Sequence, residues 1–205
     1  MFLRSPADIC IYGGAAGGGK TYALLLECLR HIDNKLFEAV IFRQSRPQIM
    51  SAGGLYATSQ EIYPHLGASS VLTPNVQWRF QSGAKVTFAH MFYEKEKYNW
   101  QGSQIPLLMF DELVHFTESQ FFYMFSRNRS TCGVRPYIRA TCNPDGESWV
   151  ARFIDWWIDP ETGYADESRC GKLRYFIRRN NIIHWADTPQ QLYEDCLLYT
   201  SDAAD

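Results

Sequence analysis

A chain of 205 residues that is 46% hydrophobic and 15% aromatic can bury the core of one α/β domain, which excludes disorder as the default state. Its net charge of −2 excludes an overall basic field, so any nucleic-acid contact needs a local stripe or another domain. Six scattered cysteines without a C-x-x-C pair and five dispersed histidines argue against zinc and fit a reducing compartment. No apolar run approaches the roughly 20 residues of a bilayer span, and Met1 leads almost at once into the first strand, which argues against a signal peptide.

In chain order, a short apolar strand carrying β-branched Ile9 and Ile11 runs into glycines, and a helix is predicted from Tyr22 to Ile32. Between them Gly14, Ala15, Ala16, Gly17, Gly18, Gly19, Lys20 and Thr21 fit G-x-x-x-x-G-K-[ST], the phosphate-binding loop. Glycines let the backbone curl so that its N–H groups converge on a triphosphate, and the helix adds its positive end. In that motif Lys20 reaches the β/γ-phosphates and the Thr21 hydroxyl ligates Mg²⁺. A flexible turn that binds nothing is the bland alternative. The coincidence of strand, loop, Lys-Thr and helix favours binding of a nucleoside triphosphate.

Leu25, Cys28, Leu29 and Ile32 fall at helical spacing and are expected to face the sheet. Ala39 to Phe42 reads as a buried parallel strand ending at Arg43. Pro47 to Leu66 is ambiguous, helical in part. Val76 to Gln81 and Lys85 to Phe88 alternate around Ser82-Gly83, a β-hairpin expected as an ornament on the sheet. Pro106 to Phe110 is a buried strand delivering Asp111-Glu112. Thr117 and Gln120 form a capping box for a helix expected to bury Phe121, Met124 and Phe125. Tyr137 to Thr141 is a strand ending at Cys142-Asn143-Pro144. Val150, Phe153, Ile154, Trp157 and Ile158 predict a further helix, Leu173 to Ile177 a last strand, and Thr188-Pro189 a helix start.

Strands alternating with helices imply an α/β fold with a mainly parallel sheet and right-handed crossovers. Ligands of such sheets sit beyond the strand carboxyl ends, where the glycine loop, Asp111-Glu112 and Thr141–Asn143 converge. Asp111 is expected to bind Mg²⁺ directly or to accept hydrogen bonds from its shell. Glu112 is expected to polarise a water for attack on the γ-phosphorus, which favours hydrolysis over phosphorylation of a small molecule. Thr141-Cys142-Asn143 could touch both γ-phosphate and water, or be only a turn before Pro144-Asp145-Gly146. Charge developing on the phosphate calls for an arginine, with Arg43, Arg46, Arg127 and Arg129 as candidates. Trp100, Tyr98 and Phe2 could each stack on adenine, although core packing is the commoner use.

Together these motifs resemble the ATPase domain of the large terminase subunit of tailed bacteriophages, a P-loop NTPase of the ASCE type. The resemblance rests on Tyr12–Thr21, Phe42-Arg43-Gln44, Tyr98–Gln104, Phe110–Leu113, Ser126–Ser130 and Ala140–Gly146, in the expected order across residues 1 to about 180. It implies that Lys20 and Thr21 hold phosphate and Mg²⁺, that Asp111 coordinates Mg²⁺, and that Glu112 is the catalytic carboxylate. It further implies that Thr141 and Asn143 couple hydrolysis to DNA translocation. Many relatives place a finger arginine where this chain has Gln101, which leaves Arg43, Arg127 and Arg129 as candidates. The implied partners are double-stranded DNA, the portal protein, the small terminase subunit and further copies in a ring, with no membrane. The implied location is the host cytoplasm, docked transiently on the procapsid.

Residues 1–180 are expected to form the ATPase domain and 181–195 the start of a linker or lid. The family's adenine-contacting segment and its nuclease domain are expected to be absent. Cys196 to Asp205 reads like a translated sequencing-library adapter, although Leu192, Cys196 and Tyr199 would also keep helical spacing. A RecA-like or helicase-type ATPase acting on nucleic acid elsewhere and an inactive nucleotide-binding fragment are the alternatives.

Overall fold

In the computed structural model, residues 2–15, 17–143 and 145–194 are described. Ala16, Pro144 and the 196–205 tail, on which three of the sequence expectations fall, lie outside them. The chain divides into two compact units, Met1–Phe153 and Ile154–Asp205.

The first unit is built on β1 (Ile9–Gly13), α1 (Lys20–Cys28), β2 (Glu38–Arg43), α2 (Arg46–Met50), α3 (Leu55–Gln60), β3 (Ser69–Val71), β4 (Val76–Arg79), β5 (Lys85–His90), β6 (Leu107–Phe110), α4 (Glu118–Phe125), β7 (Tyr137–Cys142) and α5 (Trp149–Ile154). Seven strands form one sheet in the order β1-β7-β6-β2-β5-β4-β3. The pairs β1–β7, β7–β6, β6–β2 and β2–β5 are parallel; β5–β4 and β4–β3 are antiparallel. The expected mainly parallel α/β sheet is therefore present. The hairpin is no ornament: β5 pairs with β2 along its whole length, so β4 and β3 continue the sheet.

Side chains alternate across the pleat, and both faces are apolar, as a parallel strand covered on two sides requires. Ala39, Ile41, Leu107 and Met109 point to one face, where Leu24, Leu25 and Cys28 of α1 join Ile49, Leu55, Tyr63 and Trp78 in a buried cluster. On the other face Phe42 stacks on Phe110 at 5.6 Å, and Phe110 meets Phe116 and Phe121 at 5.1 and 5.4 Å. Trp149 and Phe153 extend this aromatic layer from α5. The Thr117 capping box forms, and α4 buries Phe121, Phe122 and Met124. Phe125, expected inside, is 40% exposed, because Phe122 takes the inward position one turn earlier.

Helix α1 ends at Cys28 and passes into a 3₁₀ turn, Leu29–His31, short of the expected Ile32. The helix expected through Ile158 also stops early, at Ile154, followed by a 3₁₀ turn over Asp155–Trp157. Pro160 drives Asp159 toward extended backbone, so the apolar spacing there cannot be used helically. Ile158 instead bridges Ala165.

In the second unit β8 (Tyr175–Arg179) pairs antiparallel with β9 (Ile182–Ala186). The strand predicted at Leu173–Ile177 thus lies two residues later and in a separate two-stranded sheet. Asn180 and Asn181 both have positive φ, 48° and 65°, as a two-residue hairpin turn requires. Thr188 and Gln191 cap a helical segment over 189–194, the helix start that the sequence predicts.

Candidate functional site

Parallel pairing aligns the carboxyl ends of β1, β7 and β6, and each delivers one part of the site. Gly13 lies opposite Cys142, and Phe110 opposite Ala140. The glycine loop leaves β1 and is anchored at once, since Gly14 N–H donates to the Cys142 carbonyl at 3.2 Å. Gly17 and Gly19 have φ of 80° and 71°, a region that residues with a Cβ rarely enter, and an added Cβ at either would meet open space. Glycine is therefore dictated by backbone conformation rather than by crowding. Tyr12, which the motif does not include, donates its hydroxyl to the Gly18 carbonyl at 2.9 Å and ties the loop's far side to β1.

Lys20 opens α1 and is 7% exposed. Its ammonium donates to the Gly14 and Ala15 carbonyls at 2.6 and 2.9 Å and to Asn143 Oδ1 at 2.7 Å. The loop thus closes around its own cation, with all three ammonium donors occupied. Thr21 follows Lys20 as the second residue of α1 and is half-buried.

Asp111 is 5% exposed. One carboxylate oxygen accepts the Thr141 hydroxyl at 2.8 Å, and the other pairs with Arg43 at 2.9 Å. Burial raises its pKa from the usual 3.8, outweighing the opposing pull of Arg43 and of the Thr141 hydroxyl. Thr141, fully buried, also accepts the Glu112 backbone N–H at 3.2 Å, so one hydroxyl bridges both acidic residues. Glu112 takes φ 61° and ψ 65°, left-handed backbone that a glutamate adopts at a cost of order 1–3 kcal/mol. Its carboxylate accepts Asn143 N–H at 3.1 Å and Asn143 Nδ2 at 3.3 Å.

Lys20, Asp111, Glu112, Thr141 and Asn143 therefore form one hydrogen-bonded constellation. Arg43 joins it, but as the ion-pair partner of Asp111 within the same chain. Arg127 and Arg129 are not brought to this place. The Arg127 carbonyl accepts Ile105 N–H, and Asn128 between them bonds the carbonyls of Ile105, Pro106 and Tyr137, at the amino ends of β6 and β7. A strand's length, about 13 Å, separates that edge from Glu112. Arg46 spends its guanidinium on the Leu72 and Pro74 carbonyls. Of the adenine candidates, Trp100 packs edge-on against Phe42, Tyr98 against Tyr123, and Phe2 on Tyr12.

Sequence reasoning missed the Arg43–Asp111 pair and the Tyr12 strut. The signal for the first was positional: the carboxyl ends of β2 and β6 are neighbours, so Arg43 and Asp111 had to meet. The Thr21 hydroxyl and the Asp111 carboxylate are oxygen donors, the chemistry Mg²⁺ takes beside phosphates and water, but Asp111 spends its oxygens here on Thr141 and Arg43. Among the described residues no group of three or more His, Cys, Asp or Glu is arranged as a metal cage, which such a site does not need.

The family described as "Terminase large subunit, T4likevirus-type, N-terminal" matches residues 11–202, a span that runs into the 196–205 tail. No curated protein matches the chain. Among solved structures, the large terminase of a thermophilic bacteriophage is similar at 16% identity over 75% of this chain, with a TM-score of 0.55. The chain spans 39% of that terminase's length. The same terminase has also been solved in complex with ADP. The N-terminal domain of the DNA packaging ATPase from bacteriophage phi29 is 12% identical, with 85% of this chain and 87% of that one covered and a TM-score of 0.52. The Thermus phage P74-26 large terminase ATPase domain is 13% identical, with 80% and 69% covered and a TM-score of 0.50. At these identities the likeness speaks to the fold, and the family match speaks to descent. The chain belongs to the family of phage large terminase subunits and matches the model of its N-terminal part.

Proposed function

We propose that this chain is the motor part of a packaging enzyme, hydrolysing ATP to drive double-stranded DNA into a procapsid. The observation that carries the reading is the Lys20–Asn143–Glu112 chain of hydrogen bonds, which joins the phosphate loop, the coupling turn and the candidate base. Lys20 would leave the Gly14 and Ala15 carbonyls for the β/γ-phosphate oxygens, exchanging neutral acceptors for charged ones. Thr21 and Asp111 would hold Mg²⁺, which when bound neutralises charge on the phosphate oxygens. Glu112 would orient and polarise a water, its carboxylate aimed by Asn143. Thr141 holds Asp111 and Glu112 in fixed relation. The family membership and the ADP complex of the thermophilic bacteriophage terminase support nucleotide binding here.

The charge-stabilising arginine is then supplied by a neighbouring copy, since Arg43 is engaged by Asp111 and Arg127 and Arg129 lie at the opposite edge. We place the working enzyme in the host cytoplasm, as a ring with further copies, the small terminase subunit and the portal. Measuring ATP turnover against protein concentration, with and without duplex DNA, tests this. A rate per chain that climbs with concentration or with DNA is expected. No turnover under any condition would leave a nucleotide-binding module only.

A further inference from the structure

At the amino ends of β1 and β7, on the sheet edge opposite the phosphate loop, lies a cleft of about 520 Å³. It is bordered by the segment 3–8, by Arg30 and His31 after α1, and by the 132–135 loop that leads into β7. Four arginines line it: Arg4, Arg30, Arg135 and Arg139. Two carboxylates answer them. Glu27, with a fully buried side chain, takes Arg30 at 2.7 Å, and Asp8 takes Arg135 at 2.7 Å. Four arginines against two carboxylates leave two positive charges.

Arg139 is the unusual one. It is 4% exposed and has no carboxylate; it donates only to the neutral carbonyls of Ala7, Ile138 and Ser5, while its Nε is buried without a hydrogen-bond partner. Its guanidinium stacks on Tyr137 at 4.7 Å, and the Tyr137 hydroxyl is buried beside the Glu27 carboxylate. Burial, and then that carboxylate, push the Tyr137 pKa up, so the hydroxyl stays protonated. A buried cation without a counter-charge and with one unsatisfied donor, in the wall of a cleft with surplus positive charge, is costly unless an anion answers it. Arginine forks match the geometry of phosphate oxygens in particular. Helix-end pairing explains Arg30, which Glu27 already neutralises, but not Arg139 or Arg4.

We propose that this cleft is a second anion site that takes a phosphate group, bound by Arg4, Arg135 and Arg139, and separate from the glycine loop. Its donors fit a free phosphate or pyrophosphate and a backbone phosphate of nucleic acid alike.

Calorimetric titration of pyrophosphate into the whole chain and into its Lys20→Ala variant tests it. The Lys20→Ala chain should keep one pyrophosphate site. Adding Arg4→Ser and Arg135→Ser, both at exposed positions that do not build the core, should weaken that site ~tenfold or more. A 20-base-pair duplex that displaces pyrophosphate from the Lys20→Ala chain would identify the source as nucleic acid; failure to displace it would identify a free anion. Loss of all pyrophosphate binding in Lys20→Ala, or binding unchanged by the two serine substitutions, would overturn the proposal. Neither result bears on hydrolysis at the glycine loop, and loss of turnover would not touch the second site.

Discussion

Asn143 accepts the Lys20 ammonium on its side-chain carbonyl at 2.7 Å and gives both its N–H groups to Glu112. On the proposed function, nucleotide would compete with Asn143 for Lys20, whereas Glu112 would depend on Asn143 for its aim. Asn143→Ala should therefore separate binding from chemistry. Affinity for a non-hydrolysable ATP analogue is expected to hold or improve a few-fold, while turnover falls about tenfold or more. Parallel losses in both measurements would sink this division of roles.

The two ends of the same chain of bonds should behave differently from Asn143 and from each other. Lys20→Ala loses charge-assisted bonds to phosphate, and nucleotide affinity should fall about tenfold or more. Glu112→Gln keeps the shape but not the carboxylate, so on the proposed mechanism binding should persist while turnover drops by ~100-fold or more. Normal turnover by Glu112→Gln would remove Glu112 from the catalytic role.

The left-handed backbone of Glu112 makes a prediction about stability alone. Both Glu112→Gly and Glu112→Ala delete the carboxylate, but only glycine adopts φ 61° without strain. The glycine variant should be the more stable of the two by about 1 kcal/mol in denaturant unfolding. Equal midpoints would mean that the strain is relieved elsewhere.

Thr141 tests whether its hydroxyl or its shape matters. Thr141→Val conserves volume but leaves buried Asp111 without its hydroxyl donor and the Glu112 N–H without its acceptor. A loss of about 1–3 kcal/mol is expected, with turnover falling as well. Thr141→Ser should recover most of both. A valine variant as stable as the parent would argue that water replaces the hydroxyl.

Below neutrality His31 should weaken the fold. Burial, and then the neighbouring Arg30, lower its pKa from the ordinary 6.5. The folded state binds fewer protons there than the unfolded chain, so this contribution is complete above about pH 6.5 and is lost as pH falls through the folded value. The unfolding temperature should drop between pH 7 and pH 5, and His31→Gln should flatten that slope. An unchanged slope in His31→Gln would assign the acid sensitivity to other groups.

The glycine loop, the two acidic residues and the Thr-Cys-Asn turn were legible in the sequence because each follows a short apolar strand, and parallel strands carry such residues to one edge. The β-branched and aromatic content of Ala39–Phe42 and Leu107–Phe110 marked them as buried. What was not legible depended on neighbours across the sheet. Nothing local in Arg43 says that it faces Asp111, since that follows from β2 lying beside β6. The reach of the helix after Trp149 was overestimated because apolar spacing outweighed Pro160. The hairpin was undervalued because alternation along β5 gives no hint of its parallel partner β2.

Strand β1 is held within the seven-stranded sheet on one side only, by β7. The glycine loop and the Thr141–Asn143 turn are thus consecutive rungs of a single ladder, locked by the bond from Gly14 N–H to the Cys142 carbonyl. On the proposed function, a shift of the loop as phosphate arrives or departs would reach the turn directly, through this backbone bond and through the Lys20–Asn143 contact. Such a joint would act as a stiff lever rather than a relay, its stroke limited by how far the rim of the sheet can bend.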